Sequence, residues 1–213
     1  MNASLPGAAL LLDGRRDDET TLTLAHDALV NGLAGAGWTV DDWRLRDDKI
    51  AWCAGCFKCW TTTPGVCVHH DDGREVAARW VRSDLAVLLT PVTFGGYSSE
   101  LKKALDHVIP SLLPTMLRRG GETHHPQRYA QRRDLLVVGT VPAGQADGPE
   151  ARTFRRLVER NKLNMEPPRS ACGVLEQGAN EWEVRVAVSA LLARIGVKAA
   201  QERADSAREG AVA

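Results

Sequence analysis

Short apolar runs of strand length alternate with longer segments of helical period along the chain, and this rhythm limits the fold more than any other feature. Repeated strand–helix units bring successive strands parallel, so the sequence reads as an α/β domain built on a parallel sheet. Residues 8–12 form a buried-strand run that ends at Asp13-Gly14. A helix is expected over about 20–36, with Leu22, Ala25, Leu29 and Leu33 on one face and Gly35 and Gly37 closing it. Residues 38–45 alternate as a second strand. Asp71 or Asp72 is placed to cap a helix that turns Val76, Ala77, Trp80 and Val81 inward. Residues 85–90, apolar on both faces, are the central strand. Ser98 or Ser99 caps the next helix, whose Leu101, Leu105, Val108 and Leu112 share a face. After an excursion over 114–133 come strand 135–139, helix 150–163, strand 170–175 and helix 181–195. These make one domain over 1–198, and a tail over 199–213 is expected to fray.

A length of 213 residues suits one such domain with a fair-sized core. The formal net charge is zero, 27 basic against 27 acidic residues, which argues against nucleic acid as a partner because such surfaces carry a basic excess. No apolar stretch approaches membrane-spanning length, so no membrane partner is expected. Residues 1–7 lack a basic region followed by a long apolar segment. A cytoplasmic location follows as an expectation, and with it reduced cysteines. The five cysteines therefore need a role other than structural disulfides.

Cys53, Cys56, Cys59 and Cys67 give the spacing C-x2-C-x2-C-x7-C. A tight loop brings every third residue to one side, so these thiolates can converge on a single metal centre. The set suits a [4Fe–4S] cluster or a tetrahedral zinc, and the C-x2-C-x2-C run favours the cluster. Bare redox-active thiols stay open as a reading. Gly55, Pro64 and Gly65 supply the turns. Cys172 falls in a strand and reads as a small core residue.

Two other loops fall at strand carboxyl ends, where ligands bind in open α/β sheets. The first runs from Asp13 and Gly14 through Arg15 and Arg16 to Thr20 and Thr21, where free backbone N–H groups and a helix start suit a phosphate. The second, T-P-V-T-F-G-G-Y-S-S over 90–99, has Pro91 to fix the strand exit and Gly95-Gly96 to let backbone approach a flat ring. Phe94 or Tyr97 is placed to stack or pack beside that ring.

The stretch C-A-G-C-F-K-C-W-T-T-T-P-G-V-C-V-H-H-D-D, followed by S-D-L-A-V-L-L-T-P-V-T-F-G-G-Y-S-S-E-L-K-K-A-L-D-H, resembles the NADPH-dependent FMN reductase and iron–sulfur flavoprotein family. The strong part covers 50–110, and the βα rhythm extends it to about 195. The resemblance implies a flavodoxin-like, doubly wound five-stranded parallel sheet of order 2-1-3-4-5 with helices on both faces. It also implies FMN, NAD(P)H as electron donor and a homodimer or homotetramer. By that similarity Pro91, Val92, Thr93, Phe94, Gly95 and Gly96 flank the isoalloxazine. Gly14, Arg15, Thr20 and Thr21 fall in the phosphate loop, and Cys53, Cys56, Cys59 and Cys67 hold the metal. Family members commonly read G-S-P-R-x-x-G-N-T in the phosphate loop, whereas this chain reads G-R-R-D-D-E-T-T and sets three acids beside the expected phosphate.

His124 and His125, with Glu122, raise a metal site as a reading, but adjacent residues seldom point one way, and a loop near the flavin or a subunit contact is preferred. His69 and His70 read as surface and cap residues. The implied activity is hydride transfer from NAD(P)H to flavin and onward transfer to a small-molecule or protein acceptor, with no catalytic side chain required. Two alternatives remain: a non-enzymatic flavin or iron–sulfur electron carrier, and a flavin-free scaffold that uses the cysteine loop for zinc or thiol chemistry.

Overall fold

A computed structural model describes residues 7–17 and 19–197. Strand β1 (Ala8–Asp13) is buried from its second residue on. Its side chains alternate between two cores, as the two-residue period of a strand requires. Ala9 and Leu11 face one layer, Leu10 and Leu12 the other. Helix α1 (Thr20–Gly35) covers the first layer with Leu22, Ala25, Leu29 and Leu33, and ends where Gly37 takes a φ of +80°.

Strand β2 (Thr39–Arg44) is followed by the cysteine segment with its one-turn helix α2 (Lys58–Thr61). Helix α3 (Gly73–Arg82) buries Val76, Ala77 and Trp80 against the second layer. Strand β3 (Leu85–Pro91) has six consecutive buried residues, as a strand covered on both faces should. Helix α4 (Ser99–Asp106) is capped by Ser98, whose Oγ accepts from the Leu101 N–H at 3.2 Å. It stops earlier than its apolar period suggests, so Val108 and Leu112 lie beyond it around a 3₁₀ turn at Ile109–Ser111. Pro110 has no N–H to offer the Asp106 carbonyl, which ends the α-helical ladder there.

The excursion holds a small hairpin, β4 (Leu117–Arg119) and β5 (Glu122–His124), turned by Gly120 and Gly121 at φ +57° and +85°. Strand β6 (Asp134–Val141) is buried throughout, and helix α5 (Pro149–Met165) turns Phe154 and Val158 onto the second layer. Strand β7 (Ser170–Glu176) and helix α6 (Glu181–Arg194) follow, α6 packing beside α1 on the first layer. The main sheet is parallel, in the order β2-β1-β3-β6-β7. With the hairpin set aside this is the expected 2-1-3-4-5 doubly wound order. The expected fraying tail lies outside the described residues.

One expected cap is not a cap. Asp72 sits at the start of α3 without a side-chain hydrogen bond to it. Asp72 Oδ2 instead accepts from the Lys49 N–H at 2.7 Å, and Asp71 Oδ2 from the Ala51 N–H at 3.0 Å. The pair ties down the chain that leads into the cysteines.

Candidate functional site

The chain reverses strand order beside β1, so the crevice between β1 and β3 at the carboxyl edge is the place where such a sheet binds ligands. Three loops meet there: 13–20 after β1, 91–98 after β3 and 141–149 after β6. They are locked together. The Gly14 N–H donates to the Leu89 carbonyl at 2.8 Å, and Ser98 Oγ donates to the Gly14 carbonyl at 2.6 Å. A Cβ at Gly14 would lie 2.7 Å from both Ser98 Oγ and Leu101 Cβ, so only glycine fits.

The loop after β3 forms a flat projection. Thr93 and Gly96 exchange two backbone hydrogen bonds, of 3.0 and 2.9 Å, around Phe94 and Gly95. Phe94 has φ +50° and Gly95 φ +74°, the left-handed pair of a tight primed turn. A non-glycine residue held left-handed is strained by about 1–2 kcal/mol, and such strain gathers at functional sites. Phe94 is also 92% exposed, so burial within the chain does not explain it. Gly95 is buried, because its missing side chain lets the turn approach Thr153 of α5 (a Cβ would come within 2.7 Å). Pro91 and Val92 are half-buried, and Val92 packs on the second core layer. Tyr97 meets Phe154 edge-on at 5.7 Å and accepts from Asn161 Nδ2 at 2.9 Å; burial pushes its phenol up to about 12.

The third loop is a site element that periodicity alone does not single out. Gly144 takes φ +73°, and Glu176 Oε1 accepts from the Ala146 N–H at 2.7 Å. Backbone hydrogen bonds from Ala146 and Gly144 hold the Glu176 carboxyl below its ordinary range. A cavity of about 410 Å³ opens between Val141, Pro142, Gln145, Gly148, Pro149 and Glu150. A larger cavity of about 710 Å³ lies between α1 and α6, away from this edge.

The phosphate end looks different. Arg15 is buried against Asp13, its Nε 2.9 and 2.8 Å from the two carboxylate oxygens, and its Nη1 donates to Thr23 Oγ1 at 2.7 Å. Thr21 is buried and its Oγ1 accepts from the Gly178 N–H at 3.1 Å. Thr20 is exposed on the first turn of α1. Arg16 reaches Ser99 Oγ and lies 3.8 Å from Glu100. The amides that open α1 are taken as well: Glu19 Oε1 accepts from Thr21 N at 2.9 Å and Oε2 from Leu22 N at 3.2 Å. Thr140 Oγ1, from the end of β6, donates to the same carboxylate at 3.2 Å. Thr21 N, Leu22 N, the Arg15 guanidinium and the Thr21 hydroxyl are therefore already engaged within the protein, while Thr20 stays exposed. Glu19 was not legible as a site residue, because glutamate is not among the preferred N-caps.

The cysteine segment follows β2. His107 Nε2 donates to the Ala51 carbonyl at 2.9 Å while Asp71 takes the Ala51 N–H, so a clamp anchored on the buried His107 holds the chain two residues before Cys53. A Cβ at Gly73 would fall 2.4 Å from His107 Nδ1, which keeps position 73 small. Trp60 stacks on Phe57 at 5.1 Å and meets His125 at 4.8 Å, joining the segment to the excursion. Cys53 and Cys56 are exposed, Cys59 and Cys67 half-buried. Burial, then the neighbouring thiols of Cys67, Cys53 and Cys56, push the Cys59 thiol up. The donor set has the chemistry of a cluster or zinc site, yet among the described residues no three His, Cys, Asp or Glu side chains converge to hold a metal ion. His124 lies 3.3 Å from Glu122 and 3.0 Å from Asn164, and His69 and His70 are exposed. Cys172 is half-buried, and desolvation raises its thiol to about 11.

A doubly wound parallel sheet with its ligand crevice at the β1/β3 switch defines a flavodoxin-like protein. Within that class the chain belongs to the NADPH-dependent FMN reductase family, whose profile matches residues 10–153. It is 29% identical over 132 residues to an iron–sulfur flavoprotein of Archaeoglobus fulgidus, covering 57% of this chain and 59% of that one. It is 32% identical over 103 residues to an iron–sulfur flavoprotein of Methanocaldococcus jannaschii, covering 48% of this chain and 52% of that one. The chain thus spans little more than half the length of these relatives. Among solved structures it resembles an NAD(P)H:quinone oxidoreductase from Methanothermobacter marburgensis, with a TM-score of 0.66 at 15% identity over 87% of this chain and 96% of that one. Among the described residues no helix is long and apolar enough to cross a membrane.

Proposed function

We propose that the protein is an NAD(P)H-dependent flavin oxidoreductase that passes electrons to a small-molecule or protein acceptor. The observation that carries this reading is the strained turn at the carboxyl end of β3, with Phe94 exposed and Gly95 packed on α5, in a member of an FMN reductase family. A bound flavin supplies the hydride-accepting chemistry. Pro91–Gly96 offers its ring a flat apolar edge with backbone polar groups, and the 141–149 loop walls the other side. Among the described residues no side chains at this edge are arranged as an acid–base pair, in keeping with chemistry that a bound flavin would supply.

The cysteine segment is the second redox element in this reading, either as thiols or as ligands drawn together by a metal. The curated relatives are iron–sulfur flavoproteins by name, and three thiols here, Cys67, Cys53 and Cys56, act electrostatically on Cys59. The absorption spectrum of the purified chain tests both parts, before and after anaerobic reconstitution with flavin and with iron plus sulfide. Protein-bound flavin bands are expected, and a broad cluster absorption after reconstitution if the thiols take up iron. A preparation that stays colourless after both treatments overturns the proposal.

A further inference from the structure

We infer that Glu19 is an internal substitute for the flavin phosphate, and that the crevice accordingly takes flavin by its ring with no preference for the phosphorylated form. The inference rests on the flavin reading above and names which flavin that site accepts. The start of a helix after the first strand of such a sheet binds anions through its unpaired N–H groups. Here one carboxylate already spans two of them, Thr21 N and Leu22 N, and takes a third hydrogen bond from Thr140 at the end of β6. The Glu19 carbonyl accepts from the Thr23 N–H at 2.9 Å, so the residue is fixed by its backbone as well as its side chain.

An incoming phosphate dianion would have to expel that carboxylate and then sit beside it, at a separation where like charges repel. Nearby compensation is limited. Arg15 is sealed at 2% exposure on the fully buried Asp13, and Arg16, though exposed, already pairs with Ser99 and Glu100. Thr21, the buried hydroxyl of the first turn, serves Gly178. A flavin without phosphate brings no dianion to Glu19 and so avoids this charge repulsion.

Fluorescence-quench titrations of the full chain with riboflavin and with FMN test this, run beside Glu19→Thr and Glu19→Gln. Threonine keeps a capping oxygen while vacating one of the two amides and removing the charge, so the helix start survives. Circular dichroism checks the fold of each variant. The wild type is expected to bind FMN no more tightly than riboflavin. Glu19→Thr is expected to tighten FMN by about tenfold, the scale of a regained charge-assisted hydrogen bond, and to leave riboflavin unchanged. Glu19→Gln, which still blocks the site, should gain less. A wild type that binds FMN about tenfold more tightly than riboflavin overturns the inference while leaving the flavin reading intact. So does a Glu19→Thr variant with the wild-type FMN-to-riboflavin ratio. Absence of binding of either flavin by the wild type and both variants overturns this inference and the flavin reading together.

Discussion

Replacing Asp13 with asparagine should leave a buried guanidinium without its counter-charge. Arg15 and Asp13 are 2% and 0% exposed, and the carboxylate also accepts from the Arg15 backbone N–H at 3.0 Å. Solvent screening is therefore negligible at this pair. Breaking a buried pair from one side costs about 3–5 kcal/mol. For a domain near 200 residues each kcal/mol lowers the melting midpoint by roughly 2–4 °C, so Asp13→Asn should melt about 6–20 °C lower. Urea unfolding followed by circular dichroism gives the free energy directly. The paired replacement Asp13→Leu with Arg15→Met removes both charges and should recover most of the loss, because two buried ions give way to apolar side chains of similar bulk. A loss below about 1 kcal/mol for Asp13→Asn would refute the reasoning, for it would put the pair in the range of solvent-screened ion pairs. Arg15 would then be free to meet a ligand.

Phe94→Ala should leave stability within about 0.5 kcal/mol, since the ring is 92% exposed, yet weaken flavin binding by the worth of one aromatic contact, about 0.5–1.5 kcal/mol. Paired urea and flavin titrations read the two effects separately. His26 is raised above its ordinary 6.5, chiefly by the hydrogen bond of its Nε2 to Asp42 at 2.8 Å and in spite of partial burial. A raised folded value means that this contribution is complete below 6.5 and disappears as pH climbs through the folded value, so urea midpoints of His26→Asn should approach the wild type's on the alkaline side. The Tyr97 phenol should stay protonated until about pH 12 in an ultraviolet titration of the folded protein, and Tyr97→Phe should remove that late-titrating signal.

Strand and helix positions were largely legible because both cores follow simple periods. Leu22, Ala25, Leu29 and Leu33 recur at helical spacing, and residues 85–90 are apolar without interruption. What escaped depended on partners distant in sequence. Asp71 and Asp72 have the composition of helix caps, yet they bind Ala51 and Lys49 respectively, twenty or more residues earlier. Glu19 is an unfavoured cap by propensity, and only the arrival of Thr140 beside it marks the carboxylate as part of the crevice. The 141–149 loop did carry a signal, the Gly144 and Gly148-Pro149 punctuation directly after a buried strand, and parallel topology alone puts that loop at the ligand edge. The β4–β5 hairpin lies inside what the sequence offered only as an excursion, although its Gly120-Gly121 pair fits a primed turn. The cysteine spacing was plain, whereas the positive φ of Gly55 and Phe57 and the contact of Trp60 with His125 were not.

The central claim is that this chain moves electrons from a nicotinamide to a flavin. Anaerobic stopped-flow mixing of NADPH with the protein and riboflavin measures that step most directly. The account predicts loss of the flavin's visible absorption at a rate that rises with protein concentration and falls in Phe94→Ala. A flavin band that persists as in the protein-free control, with flavin bound, would contradict it and leave a passive carrier.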